Sequence, residues 1–305
     1  MDFLKLIRFP NLIIIVIIQY ILQYWILRPA LVGSEVELLL THNLFFLLVI
    51  STVIIAATGY IINDIVDIAI DKINKPHKMI VERIITKKHA WQLYWGLVII
   101  GFLISVYVAY RIDNLPLVFI YPCAVSLLAL YSYKLKSRPF SGNLVVALFS
   151  ALVTGIILFA ERASFTKLSN LNAELYQYVS MVFYGYMIFA VLTSLYREIV
   201  KDLEDIEGDK AQGCKTVPTL MGTRFSKILA SIFGISTISL LVFWLNRSIQ
   251  IQDYLALAVV TLFLTIPLLY SLIKLWSAAD PKAYHHISTC IKGVMAGGII
   301  CLLLL

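Results

Sequence analysis

The sequence predicts an all-α protein that crosses a membrane nine times, with its N-terminus on the cytoplasmic side. Three observations predict it. Of 305 residues, 60% are hydrophobic and only 14% charged, with a mean hydropathy of +0.88, whereas a soluble chain carries about 25% charged residues. Nine apolar stretches supply the roughly 20 residues that a membrane helix needs; they are 9–31, 43–63, 90–110, 115–133, 142–161, 176–196, 225–246, 253–275 and 286–305. Finally, with the N-terminus inside, 20 of the 25 Lys and Arg residues fall on the inner side, which is the asymmetry that orients membrane proteins.

The first run, starting at Phe9, is too long for the apolar core of a secretory leader and reads as a retained span. Pro10, Pro116, Pro122 and Pro267 fall within or at the edges of spans, where neighbouring groups re-satisfy the freed backbone. Outer segments carry only Arg28, Arg111, Arg162, Lys167 and Arg247. The two longest inner loops, about 66–89 and 198–224, each begin as a polar extension of the preceding helix and then carry basic residues. That repetition hints at two related halves, roughly 1–140 and 141–280. No Pro-, Gly- or Ser-rich linker divides them, so 1–305 reads as one integral-membrane domain.

The formal charge of +7 tracks the loops. It marks topology and contact with membrane lipids, not a nucleic-acid partner. The four cysteines form no CxxC or Cys/His pairing, so neither a zinc site nor a disulfide framework is indicated, and Cys214 reads as a free thiol. His285 and His286 are adjacent rather than one turn apart and read as loop residues. No pattern in the chain specifies an oligomer.

Against this apolar background two acidic segments stand out. One holds Asp64, Asp67 and Asp71, the other Asp202, Asp205 and Asp209, both at the spacing i, i+3, i+7. On a helix that spacing places each trio on one face. Asn63 joins the first stripe and Glu198 the second, and nine of the 18 acidic residues lie in these two segments. Ordinary solvated helix ends explain the polarity, but not the single-faced placement. Carboxylates beside hydrocarbon are costly and usually serve a polar site, and facing carboxylates repel unless cations lie between them.

A hard divalent cation such as Mg2+ takes oxygen ligands, keeps waters, and binds through a few carboxylates plus substrate phosphates. Asn63, Asp64, Asp67, Asp71, Asp202, Asp205 and Asp209 are therefore the candidate metal residues, the six aspartates are the candidate catalytic residues, and Glu198 is a supporting one. A metal-bridged diphosphate at the cytoplasmic end of an apolar helical cavity suggests an isoprenyl donor, whose C–O bond the metal helps to cleave. Tyr20, Tyr24, Tyr60, Phe149 and Tyr186 are candidate faces for the resulting allylic cation. Lys78, Arg83, Lys134, Lys136, Arg197 and Lys201 adjoin the acidic faces or the same cytoplasmic mouth and are candidate phosphate ligands. Asn143, after Gly142 at the start of the fifth span, reads as a helix cap. The competing class is an ion-coupled transporter, whose carboxylates tend to lie near the bilayer midplane and not at one membrane face.

At these residues the chain resembles the UbiA superfamily of intramembrane prenyltransferases. Asn63-Asp64-x-x-Asp67-x-x-x-Asp71 is similar to that family's first motif, and Asp205-Ile-Glu-Gly-Asp209 to its second. The stretch from Arg197 to Lys210, followed by Gly213-x-Lys215-Thr216-x-Pro218, looks most like the digeranylgeranylglyceryl phosphate synthases, as does Asn74-Lys75-Pro76-His77-Lys78. The resemblance implies a prenyl, specifically geranylgeranyl, diphosphate donor, geranylgeranylglyceryl phosphate or a related lipid acceptor, Mg2+, and a site facing the cytoplasm of a prokaryotic inner membrane. An aromatic acceptor, of the homogentisate, quinone-precursor or chlorophyll type, is the alternative, because KDxxDxEGD also occurs in that branch. Two departures are visible. Lys78-Met79-Ile80-Val81-Glu82-Arg83 stands where the family usually has an arginine and Pro-Ser-Gly, and the lysines after Tyr131 fall at three and five residues, not four.

Overall fold

The computed structural model describes residues 2–74, 79–211 and 213–304, and their regular structure is helical. An isolated bridge between Val81 and Ile85 is the only strand-like pairing among the described residues. In chain order the helices are α1 (Asp2–Leu6), α2 (Phe9–Gly33), α3 (His42–Val66), α4 (Ile68–Asn74), α5 (Lys87–Arg111), α6 (Leu117–Tyr133) and α7 (Ser141–Ala160). They continue with α8 (Arg162–Leu171), α9 (Ala173–Glu204), α10 (Ile206–Ala211), α11 (Val217–Gln250), α12 (Tyr254–Ser277) and α13 (Pro281–Cys301).

Local chemistry sets many of these boundaries. Thr41, Thr86, Asp253 and Asp280 cap α3, α5, α12 and α13, each accepting a backbone N–H from the first turn. Two helices widen to π-helix, at Leu22–Leu27 in α2 and Val260–Thr265 in α12. Each widening lies just before a proline, Pro29 and Pro267. Proline lacks the N–H and collides with the carbonyl four residues back, and an i→i+5 turn makes room for it. In α11 the chain breaks at Gly222, with φ 82° and ψ 166°, a backbone conformation open to glycine alone.

Seven helices are long and apolar enough to cross a membrane among the described residues: α2, α3, α5, α7, α9, α11 and α12. The expected fourth and ninth spans are also helices. However, α6 has 17 residues, under the roughly 20 of a full crossing, and α13 carries Lys282, His285, His286 and Lys292. The polar segments after the second and sixth spans are more helical than open loops. Helix α9 runs on to Glu204, and α4 and α10 follow their predecessors after single-residue breaks. His285 and His286 lie on α13 rather than in a loop.

Packing divides the chain into two compact units. One holds residues up to Leu135 with Val153–Val179, the other Lys136–Leu152 with Ser180 onward. In the first, Ile54, Ala57, Ile61 and Ile65 form a helical stripe on α3, in one core with Ala90 and Tyr94 of α5 and Tyr121 and Val125 of α6. Gly101 lets α6 close on α5, since a Cβ there would lie 2.1 Å from the Tyr121 hydroxyl. At the end of α3 opposite the aspartates, Glu161 is fully buried. Its two oxygens accept the backbone N–H groups of Leu40 at 2.8 Å and Leu39 at 3.0 Å, which ties the 34–41 connection down.

In the second unit, Tyr196, Ile199, Val200 and Leu203 of α9 share a core with Leu264, Leu268 and Leu275 of α12 and Ile287, Ile291 and Val294 of α13. These are stripes at three- and four-residue spacing, and they fix which face of α9 is left for its acidic residues.

Candidate active site

The first acidic motif lies in the first unit. Helix α3 carries Tyr60, Asn63 and Asp64 and ends at Asp67, whose φ of −83° and ψ of 0° break the helix before α4 carries Asp71. Two backbone bonds bridge the break, Asp67 N–H to the Asn63 carbonyl at 2.9 Å and Asp71 N–H to the Asp67 carbonyl at 2.8 Å. The helical register therefore survives, and with it the single-faced placement. The Asn63 amide donates to Asp67 Oδ2 at 2.8 Å.

Arg8 reaches this motif from the start of α2. It sits in the left-handed region at φ 49°, and its guanidinium lies 4.7 Å over the Tyr60 ring with Nη2 3.6 Å from Asp64 Oδ1. Asn11 donates to the Tyr60 hydroxyl at 3.2 Å. By sequence alone Arg8 counts only as an orienting charge. No local signal points to its role, since nothing along the chain links residues 8 and 64.

The second motif, in the second unit, repeats the construction. Helix α9 carries Glu198, Lys201 and Asp202, the break falls at Asp205, and α10 carries Asp209. Asp205 N–H to the Lys201 carbonyl and Asp209 N–H to the Asp205 carbonyl, both 2.9 Å, carry the register across. In both motifs the middle aspartate occupies the break.

Neutral donors hold this second set. Asn143 of α7 donates to Asp202 Oδ2 at 2.9 Å, a partner that its position near a helix start does not announce. Thr216 donates to Asp209 Oδ2 at 3.0 Å. Burial pushes the Asp209 carboxyl above the usual aspartate range; the Thr216 hydroxyl opposes that and the Asp205 charge adds to it. Glu204, between two aspartates, pairs with His285 at 2.8 Å.

The basic candidates behave differently from one another. Arg197 donates to Glu198 at 3.0 Å, so the pair partly neutralises itself beside the motif. Lys201 and Lys136 are half-buried, while Lys134 and Arg83 are exposed. Next to Arg83, Glu82 pairs with Lys72, which holds the Glu82 carboxyl below its usual range. Lys78 lies outside the described residues. Of the aromatic candidates, Tyr60 stands beside the first acidic motif. Tyr20 and Tyr24 stack on each other, and Tyr24 bonds His42 at the first turn of α3, about 33 Å from Asp64 at 1.5 Å rise per residue.

Among the described residues, no three Asp, Glu, His or Cys side chains converge into a closed metal cage. The donor set nevertheless fits a hard cation. It is all carboxylate and amide oxygen, and Asp67, Asp202 and Asp209 each have one oxygen fixed by a neutral donor. An ion that takes few protein oxygens and completes its shell with water and phosphate suits such a set.

Comparison with known proteins bears on this arrangement. Residues 26–288 match the model of the UbiA prenyltransferase family. A digeranylgeranylglyceryl phosphate synthase of Thermococcus sibiricus is 38% identical over 181 residues, 59% of this chain and 57% of that protein. One of Methanosphaera stadtmanae is 37% identical over 220 residues, 70% of this chain and 73% of that one. The chain thus spans under two thirds of the length of the first of these relatives. Among solved structures, a digeranylgeranylglyceryl phosphate synthase superposes with a TM-score of 0.65 at 23% identity, covering 100% of this chain and 98% of that one. A UbiA homolog from Archaeoglobus fulgidus bound to DMAPP and Mg2+ superposes with a TM-score of 0.55 at 17% identity, covering 100% of both chains. At such identities the likeness is one of fold.

Proposed function

The chain belongs to the UbiA prenyltransferase family and is an integral-membrane prenyltransferase, and from that premise we propose that it moves a geranylgeranyl group from its diphosphate to the hydroxyl of geranylgeranylglyceryl phosphate. The observation that carries this reading is the repeated motif, two helix ends each breaking at a middle aspartate between two others. Relatives named digeranylgeranylglyceryl phosphate synthase at 37–38% identity support the acceptor.

In this reading the residues divide the work. Asp64, Asp67, Asp71, Asp202, Asp205 and Asp209 hold Mg2+, with Asn63 and Glu198 in support. When bound, Mg2+ neutralises the leaving diphosphate. The allylic C–O bond breaks with its electron pair leaving on the diphosphate. The acceptor hydroxyl oxygen then forms the ether bond, and the departing diphosphate takes up the released proton. Tyr60 presents a π face one turn before Asp64, and Arg8 on that face supplies positive charge where diphosphate charge develops. Lys78, Arg83, Lys134, Lys136, Arg197 and Lys201 draw the phosphates of donor and acceptor to the mouth. The reading also takes the chain as one domain crossing a prokaryotic inner membrane nine times, N-terminus and site on the cytoplasmic side.

The test is turnover by purified protein with labelled geranylgeranyl diphosphate, Mg2+ and a panel of acceptors. Ether product with geranylgeranylglyceryl phosphate is the expected outcome. Product only with homogentisate or another aromatic acid moves the chain to the aromatic branch. No product with any acceptor, together with ion-coupled uptake in vesicles, overturns the reading.

A further inference from the structure

We infer that Asn143 is a positioning residue for the metal-binding carboxylate of Asp202, an inference that rests on the reading of the acidic motifs as Mg2+ ligands. Asn143 lies on the first turn of α7 and is 7% exposed. Its Nδ2 reaches a carboxylate 59 residues away on α9. Because an ionised carboxylate only accepts, the amide nitrogen is the group that must face it.

The choice of donor suits a metal ligand. A lysine or arginine at this position would neutralise Asp202 and compete with the incoming cation. A neutral amide fixes the carboxylate's rotamer and engages Oδ2 while leaving the negative charge in place. Partners of this kind, one step behind the ligands, orient them, and losing one typically costs about 10- to 100-fold in metal affinity.

The start of α7 is itself fastened where this bond needs it. Phe140, in the left-handed region at φ 61°, stacks on Phe233 of α11 at 6.1 Å. The Lys215 backbone N–H donates to the Ser137 carbonyl at 3.0 Å. That second bond joins the segment before α7 to the loop whose Thr216 holds Asp209. The same short segment of backbone therefore governs the partners of both outer aspartates of the motif. Further along the pair, Ser194 and Ser150 bond at 2.9 Å, a contact of α7 with α9 two turns before Asp202.

The experiment titrates purified full-length protein with Mn2+ in the presence of inorganic pyrophosphate, reading free Mn2+ by electron paramagnetic resonance. Asn143→Ala is expected to weaken Mn2+ binding about tenfold or more and to raise the Mg2+ concentration for half-maximal transfer by a similar factor, with the donor KM at saturating Mg2+ little changed. Ser150→Ala, which removes the other bond between the same helices without touching Asp202, is expected to leave both unchanged. Asn143→Ser, which keeps a small donor and removes no charge, serves if the alanine variant does not fold, and is expected to weaken binding less than tenfold. Unaltered Mn2+ affinity in folded Asn143→Ala or Asn143→Ser overturns the inference, as does a wild-type protein that binds no Mn2+. Wild-type protein that binds Mn2+ in an Asn143-dependent way but transfers no prenyl group instead refutes the proposed reaction alone.

Discussion

The guanidinium of Arg8 lies 4.7 Å over the ring of Tyr60, one helical turn before Asp64, with Nη2 3.6 Å from the aspartate. The stack is worth about 1 kcal/mol at a half-exposed site and holds the cation beside the carboxylate without a short ion pair. Arg8→Ala is expected to lower prenyl transfer by roughly tenfold or more, with Arg8→Lys intermediate because an ammonium lacks the planar fork. Tyr60→Phe keeps the π face and loses only the Asn11 bond, so its activity should stay close to wild type. Tyr60→Leu should resemble Arg8→Ala; steady-state rates with labelled donor decide, and full activity in Tyr60→Leu removes the ring from the mechanism.

Asp67 and Asp209 belong to separate units and should be equally indispensable. Asp67→Asn and Asp209→Asn are each expected to remove roughly 99% of activity while leaving the thermal midpoint in detergent unchanged, because each loses a carboxylate charge that would hold the metal. Chelation by EDTA should abolish wild-type activity and added Mg2+ restore it. Thr216→Val, which removes the hydroxyl that donates to Asp209 Oδ2 at 3.0 Å and lies 3.4 Å from Thr219 Oγ1, should cost about tenfold, with Thr216→Ser near wild type. Retained activity in Asp209→Asn would take that residue out of the metal set.

Two glycines on α5 should respond oppositely to alanine. At Gly101 a Cβ would meet the Tyr121 hydroxyl at 2.1 Å and its Cζ at 2.6 Å, and Tyr121 is 2% exposed. Gly101→Ala is expected to destabilise by about 1–3 kcal/mol through forced repacking. A Cβ added at Gly96 would meet nothing within 4 Å, so Gly96→Ala should be neutral or stabilising by up to about 1 kcal/mol. Thermal unfolding in detergent distinguishes them, and equal midpoints contradict the packing account.

Glu161 provides a pH dependence separate from the active site. Burial pushes its carboxyl above the usual glutamate range, and the two backbone N–H bonds only partly offset this. A carboxyl raised in the folded state contributes stability that is fully present below its unfolded value, near 4.3. That contribution is lost as pH rises through the folded value. The wild-type thermal midpoint should therefore fall relative to Glu161→Gln as pH increases from about 4.5 upward. Glu161→Ala, leaving the Leu39 and Leu40 N–H groups without their acceptor, is expected to cost about 1–3 kcal/mol for each. A constant difference between wild type and Glu161→Gln across that range contradicts the assignment.

Much of the fold was legible because lipid makes composition speak loudly. Each expected apolar run is a helix, and the aspartate spacing correctly placed each trio on one face, since the backbone bonds across Asp67 and Asp205 preserve register. The breaks themselves were not legible, because nothing in a carboxylate requires the helix to stop there. The role of Glu161, the last residue of the expected 142–161 span, is not legible either; its burial depends on backbone more than 100 residues earlier. Tyr20 and Tyr24 qualify by residue type, but they lie by the start of α3, the end opposite Asp64.

The sequence by itself determined that the chain is a helical membrane protein with two carboxylate faces, because hydropathy, charge asymmetry and helical spacing are local properties that lipid and backbone geometry read directly. Only the tertiary structure decided which neutral and cationic groups hold those carboxylates. Arg8 meets Asp64, Asn143 meets Asp202, and Asn114 and Glu161 secure the opposite end by bonds to backbone. Such partners are chosen by helix packing, which brings together residues 45 to 122 positions apart, and no local pattern in the chain records which of its many polar side chains will meet.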